Sequence, residues 1–271
     1  MIKMIKQRFS IRLWLGWMAL MMGLLVTVSA VSAQAVSPTE AMTAGNQSYE
    51  AGNYAQAVEI YETMVAAGIQ DSTLYYNLGN AYFKQGQLGK AILNYRRAYR
   101  LDPRDVDNNV NLALARSQAL DKLDAANDGA VTNFVKAAED WLTLDEASML
   151  ALGLWLLLCG LAIVAILLPR FRQVSLWAMA VVGLFLIVGL ISIANRLYND
   201  YAYPPAVVVA EQVSVMSGPG GADQYVVEFD LHTGAEVTQL ESHDNWRRVS
   251  LPGHDFQGWV SADALELVNL N

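Results

Sequence analysis

The chain of 271 residues is 54% hydrophobic and only 16% charged, against about 25% charged residues in ordinary soluble proteins. A single cysteine, Cys159, excludes a disulfide framework, a CxxC redox centre and a thiolate zinc site. Net charge is −8, with 26 acidic against 18 basic residues, which excludes the clustered cationic surface that nucleic-acid phosphates demand.

The first apolar block follows a basic start. Lys3, Lys6, Arg8 and Arg12 precede an uncharged run from Leu13 to Val28 and the small-residue stretch Ser29-Ala30-Val31-Ser32-Ala33. This is the pattern of a secretory signal peptide over residues 1–33, with cleavage between Ala33 and Gln34. An uncleaved anchor is the alternative. Removal of the four basic residues leaves 14 against 26 acidic, a balance of −12.

Residues 38–71 and 72–105 form two units of 34, a period that belongs to helical repeats. The second unit reads Tyr75-x-x-Leu78-Gly79-x-x-Tyr82, then Ala91-x-x-x-Tyr95-x-x-Ala98, then Pro103. The i, i+3, i+4 and i+7 spacing predicts two helices. Small residues at Gly79, Ala91 and Ala98 let them approach closely, and Gly86 and Asp102-Pro103 end them. This unit resembles a tetratricopeptide repeat at essentially every signature position. The first unit is looser: Ala44, Gly45, Ala57 and Tyr61 are in register, whereas Ser48 and Met64 depart. It opens on Ser37-Pro38-Thr39-Glu40, a capping box with proline at the first helical position. A third unit starts at Val106 with Leu112 and Ala113 in register and serves as a capping helix to about Leu123, so the array covers residues 37–123.

The resemblance implies a concave groove lined by the first helix of each pair. Its positions here are Met42, Asn46, Tyr49 and Glu50, then Tyr76, Asn80, Phe83 and Lys84. Asn46 and Asn80 occupy the same place in both units, and an amide can donate to and accept from an extended peptide backbone. Tyr49 and Phe83 add apolar contact of the kind enriched at interfaces. Asparagine is also simply common at this place in the repeat. The cationic clamp by which relatives hold a carboxyl terminus is met by Lys84 alone.

Residues 124–146 read as a linker and a weak amphipathic helix (Phe134, Ala138, Trp141), a spacer rather than a membrane-surface helix because its polar face lacks a basic cluster. Ala147–Leu168 and Val174–Ala194 then run uncharged for 22 and 21 residues, enough at about 1.5 Å per residue to cross a bilayer core. The connection, residues 169–173, carries Arg170 and Arg172 and no acid, so it belongs in the cytoplasm. The expected location is therefore the inner membrane, multi-pass, with both soluble parts extracytoplasmic. Thr143-Leu-Asp-Glu146 has capping-box spacing, Trp141 and Tyr198 suit the interface, and Cys159 falls mid-span among leucines.

After Pro204-Pro205 the chain turns β-rich: 206–210, 225–229, 236–240, 246–249 and 258–260, with a turn at Ser217-Gly218-Pro219-Gly220. About 65 residues in five or six strands predict a small barrel. Val213-Ser-Val215, Leu231-His-Thr-Gly234, Trp246, Gly258-Trp259-Val260 and Ala264-Leu265-Glu266-Leu267 resemble a bacterial SH3-type domain over residues 206–269. Such domains bind cell-wall peptides or proteins. Trp259 is expected in the core and Trp246 in the core or on a binding face. Met216 stands where this family usually carries arginine. His232, His243 and His254 recur at intervals of eleven, but strand spacing does not converge them on a metal. No nucleophile and base are paired in the sequence, so neither catalysis nor a cofactor is expected.

The fold class is thus a multidomain membrane protein: an all-α repeat, a two-helix transmembrane hairpin and an all-β SH3-like barrel. The order of parts resembles BatE-type proteins of the Bat aerotolerance-operon family. That resemblance implies membrane-protein partners bearing von Willebrand A domains, indirectly a MoxR-type ATPase, and a stress-tolerance or envelope-assembly role. A wall receptor that binds peptidoglycan through residues 206–269 is the alternative.

Overall fold

The computed structural model describes residues 37–121, 141–251 and 256–269. The signal segment with Ala33 and Gln34, Phe134 and Ala138 of the linker, and His254 lie outside the described residues.

Among the described residues, five helices come first: α1 (Pro38–Glu50), α2 (Tyr54–Ala66), α3 (Ser72–Lys84), α4 (Leu88–Leu101) and α5 (Val106–Gln118). Their punctuation repeats every 34 residues. Asp71 and Asp105 cap α3 and α5 by accepting from first-turn amides, Leu74 for the former and Asp107 and Asn108 for the latter. Such caps satisfy amides that a helix start leaves without partners. Gly52 and Gly86 turn α1 into α2 and α3 into α4 at φ of +80° and +75°, a region that only glycine enters without a Cβ penalty. The antiparallel pairs close on a core of Tyr61, Leu74, Leu78, Ile92, Leu93, Tyr95 and Leu112.

Helix α5 stops at Gln118, short of Leu123. Ala119 is extended at the cap, and the chain is drawn to the C-terminal sheet. There Asp121 accepts from the His232 amide at 2.6 Å and meets His232 Nδ1 at 3.1 Å.

Helices α6 (Leu144–Leu167) and α7 (Arg172–Ala202) pack as a hairpin joined by a 3-10 turn at Pro169–Phe171. Both are long and apolar enough to cross a membrane. The predicted capping box is present: Thr143 Oγ1 accepts from the Glu146 amide at 3.2 Å, and Glu146 Oε2 accepts from the Thr143 amide at 3.0 Å. The uncharged run ends at Ala194, whereas α7 continues to Ala202. Its polar last turns are held from outside the hairpin. Arg196 donates to the Leu142 carbonyl at 2.7 Å, and Arg100 on α4 makes a two-pronged bond to Asp200 at 3.1 and 2.5 Å.

Seven strands complete the chain: β1 (Pro205–Val208), β2 (Gln212–Met216), β3 (Val227–His232), β4 (Glu236–His243), β5 (Trp246–Ser250), β6 (Gln257–Ser261) and β7 (Leu265–Leu267). They form one antiparallel sheet in the order β3-β2-β6-β5-β4-β1-β7. Tyr225 and Val226, expected in a strand, precede β3. The Tyr225 ring covers the turn, where a methyl at Gly220 would lie 2.7 Å from it. Trp259 departs from its expected place in the core. On β6 Gly258 and Val260 face inward, so the two-residue alternation of a strand turns Trp259 to the other face. It stays half-buried there, edge-on to His243 at 6.4 Å.

Strand β1 explains how sheet and repeats meet. Ala206 and Val208 enter the sheet's own core, while Val207 between them enters the repeat core together with Val268. A strand buried on both faces needs an unbroken apolar run, and Ala206-Val-Val-Val-Ala210 supplies it. Gly89 on α4 lets the backbones touch: its amide donates to Thr233 Oγ1 at 3.1 Å, and a methyl there would sit 2.5 Å from the Val208 carbonyl oxygen. Arginines frame the contact. Arg96 and Arg116 both pair with Glu236, at 3.1 and 2.5 Å, and Arg97 donates to the Leu267 carbonyl at 2.9 Å.

Candidate functional site

The groove predicted from the repeats lies along α1, α3 and α5, which are neighbours in that order. Its floor is a hydrogen-bonded cell that occurs twice. The Tyr61 hydroxyl donates to Asn46 Oδ1 at 2.7 Å, and Asn77 Nδ2 donates to the same oxygen at 3.0 Å. Thirty-four residues on, the Tyr95 hydroxyl donates to Asn80 Oδ1 at 2.7 Å and Asn111 Nδ2 at 2.9 Å. Each cell thus links three successive helices through one amide oxygen.

A glycine places each tyrosine. Gly45 and Gly79 precede the two asparagines, and a methyl at Gly79 would lie 2.7 Å from the Tyr95 ring. The ring packs flat on the helix, and its hydroxyl then reaches the next residue's amide. Burial pushes the Tyr61 hydroxyl up to about 12, helped by Tyr49 and Glu50 nearby. It also pushes Tyr95 far up, with Tyr76 and Tyr49 adding to the shift. Both phenols therefore stay protonated and act as donors across the physiological range.

Asn46, Tyr49, Glu50 and Asn80 come together around one hollow of about 190 Å³, with Tyr61 and Asn77 completing its wall. Tyr76, Phe83 and Lys84 do not line it. Tyr76 stands against the second cell, where its hydroxyl accepts from Asn111 at 3.2 Å. Phe83 is half-buried against the repeat core and Lys84 is exposed. Met42 accepts a long bond from Asn77 Nδ2 at 3.8 Å.

The hydrogen-bonding roles of Asn77, Asn111 and the two tyrosine hydroxyls are absent from the repeat motif, in which Tyr61 and Tyr95 are register positions. The signal was available: Asn77 and Asn111 are themselves 34 apart. Both oxygens of the groove asparagines are thereby engaged within the fold, and the two asparagines line the hollow. Phenol edges and amides around a polar hollow can hold an extended backbone by hydrogen bonds. They provide no nucleophile.

The remaining singled-out residues disperse. His232 is tied to Asp121, His243 is exposed beside Trp259, and Cys159 is an exposed free thiol on α6. Among the described residues no three His, Cys, Asp or Glu side chains converge as a metal site.

Compared with known families, residues 72–105 match the tetratricopeptide repeat. The match runs from the first turn of α3 to the loop before α5, so it contains Gly79, Asn80 and Tyr95 of the second cell but not Asn111. No curated protein matches the chain.

Proposed function

We propose that this chain is a non-enzymatic, membrane-anchored protein–protein interaction scaffold whose groove captures an extended segment of a membrane-bound partner. One observation carries the reading. The α1–α3–α5 face carries an open hollow lined by asparagine and tyrosine side chains, while the opposite face of α4 is sealed by β1.

In this reading α6 and α7 span the inner membrane with the Arg170 loop in the cytoplasm, and the sheet is an SH3-type domain. Support comes from the packing: repeats and sheet share one core and both touch the same end of the helical hairpin, through Arg100–Asp200, Arg104–Glu146 and Asn269–Asp200. Anchoring converts weak groove contacts into effectively intramolecular ones. The order of modules resembles that of BatE-type proteins, and on that resemblance its partners are Bat proteins with von Willebrand A domains acting in envelope stress or aerotolerance.

A photo-crosslinking residue at Lys84, which is exposed at the groove end, tests this without disturbing the cells. In native membranes it should trap a von Willebrand A-domain protein, whereas the same probe at exposed Glu59 on α2 should not. Equal labelling from both positions, or none from Lys84, removes the groove as the binding face.

A second reading has one observation in its favour. The β5–β6 register pairs Trp246 with Ser261 and Arg248 with Trp259, which puts both tryptophans on one face outside the core, where they can stack on sugars. Peptidoglycan binding through residues 206–269 then requires that Trp246→Ala and Trp259→Ala abolish co-sedimentation of the full chain with isolated wall.

A further inference from the structure

The wall of the groove hollow contains one charge that the fold itself does not employ. Glu50 is the last residue of α1, where the helix dipole is negative and an acid is unfavourable. Its carboxylate is exposed and, among the described residues, makes no ion pair or side-chain hydrogen bond. It stands in the wall of the hollow of about 190 Å³ together with Tyr49. The Tyr49 ring is held in turn by Tyr54, with centroids 5.3 Å apart. The repeat does not require an acid at this place, since thirty-four residues on the matching position is Lys84.

The surroundings have the same sign. From Ser37 to Phe83 the chain holds five acidic residues, Glu40, Glu50, Glu59, Glu62 and Asp71, and no lysine, arginine or histidine. The arginines of α4 and α5 are spent on the sheet and on α7, through Glu236, the Leu267 carbonyl and Asp200. A field of one sign raises the local concentration of the opposite charge. The hollow is smaller than the about 300–1,000 Å³ of sites that enclose a whole small molecule. What enters it is therefore one side chain of a longer segment.

We infer that the hollow receives a basic side chain, arginine or lysine, of the segment captured in the groove. The cation lies against the Tyr49 ring and pairs with the Glu50 carboxylate. An aromatic face and a carboxylate are the two partners that suit a cation leaving water. A carboxylate in the same place would meet Glu50 and is rejected. This polarity is the reverse of a clamp that holds a carboxyl terminus.

The inference rests on the groove reading of the proposed function, and the experiment separates the two. The Lys84 photo-crosslinker is used in the full chain in native membranes, and the trapped segment is sequenced by mass spectrometry. That segment should contain an arginine or lysine. Glu50→Lys should lower the crosslink yield about tenfold and Glu50→Gln about threefold. Glu59→Lys, at an exposed position on α2, should leave it unchanged. Exchanging the trapped segment's basic residue for glutamate should abolish its crosslink to the native chain and restore it to the Glu50→Lys chain. The midpoint of thermal unfolding should hold or rise in both Glu50 variants, because α1 loses an unfavourable acid, so lost capture is not lost fold. A yield indifferent to Glu50→Lys, or a trapped segment without a basic residue, overturns the inference and leaves the groove standing. Labelling from Lys84 no greater than from Glu59 overturns both.

Discussion

The two repeat units share an inner face and differ in their outer one. Gly45-Asn46, Tyr61 and Asn77 recur as Gly79-Asn80, Tyr95 and Asn111, with the same bonds in both cells. On the outside, α4 carries Gly89, Arg96, Arg97 and Arg100, all of which touch the sheet or α7. The matching positions on α2 are Ala55, Glu62, Thr63 and Ala66, and the sheet does not pack there. The repeat pattern therefore builds the groove, whereas docking is written in residues to which the pattern is indifferent.

If the inner cell is structural as well as groove-lining, breaking it gives the largest effect. Tyr95→Ala removes a buried ring and its hydrogen bond to Asn80, and should cost about 3–5 kcal/mol, visible as a lowered midpoint of thermal unfolding. Tyr95→Phe keeps the ring and loses only the bond to Asn80, which still accepts from Asn111, so about 1 kcal/mol is expected. Similar losses from the two variants would mean that the hydroxyl, not the ring, holds the cell.

The outer face should fail separately. Gly89→Val forces a branched side chain against the Val208 carbonyl and Thr233. Overpacking of this kind costs about 1–3 kcal/mol. Hydrogen exchange should then quicken at β1 and β7 while α1 to α3 keep their protection. The same variant tests whether groove and sheet are independent, because the Lys84 crosslink should survive it.

The sequence carried the period, the caps and the apolar helices because each is a local pattern. Thirty-four-residue spacing and uncharged runs need no knowledge of what lies across the fold. The docking was invisible for the opposite reason. Arg96, Arg97, Arg100 and Arg116 look like solvated helix charges until Glu236, Glu266 and Asp200, each 84 or more residues away in the chain, are placed beside them. The overrun of α7 to Ala202 was hidden by the same kind of long-range partner, since Arg100, Asn269 and the Leu142 carbonyl hold its polar end. Trp259 was misplaced because its neighbours' inward facing, not its own hydrophobicity, decides its side of the strand.

The smallest effect concerns the charges that frame the docked face, and pH resolves it. Burial pushes the Glu236 carboxyl up, but the bonds from Arg116 and the charges of Arg96 and Arg116 outweigh burial and hold it below the usual carboxylate range. A carboxyl depressed in the folded state contributes its stability in full above its ordinary value of about 4.3, and loses it as pH falls through the lowered one. Acid should therefore loosen the sheet from α4 and α5 before it melts the repeats, whose tyrosine–asparagine cells carry no charge. In Glu236→Gln the acid-dependent step should vanish and stability at pH 7 should drop by about 1 kcal/mol, since both arginines remain partly solvated. Arg104 and Glu146, whose pair stands in solvent, supply the internal control: Arg104→Ala should leave the melting curve unmoved at either pH. An acid step that persists in Glu236→Gln would show that protonation of Glu236 is not what loosens the sheet.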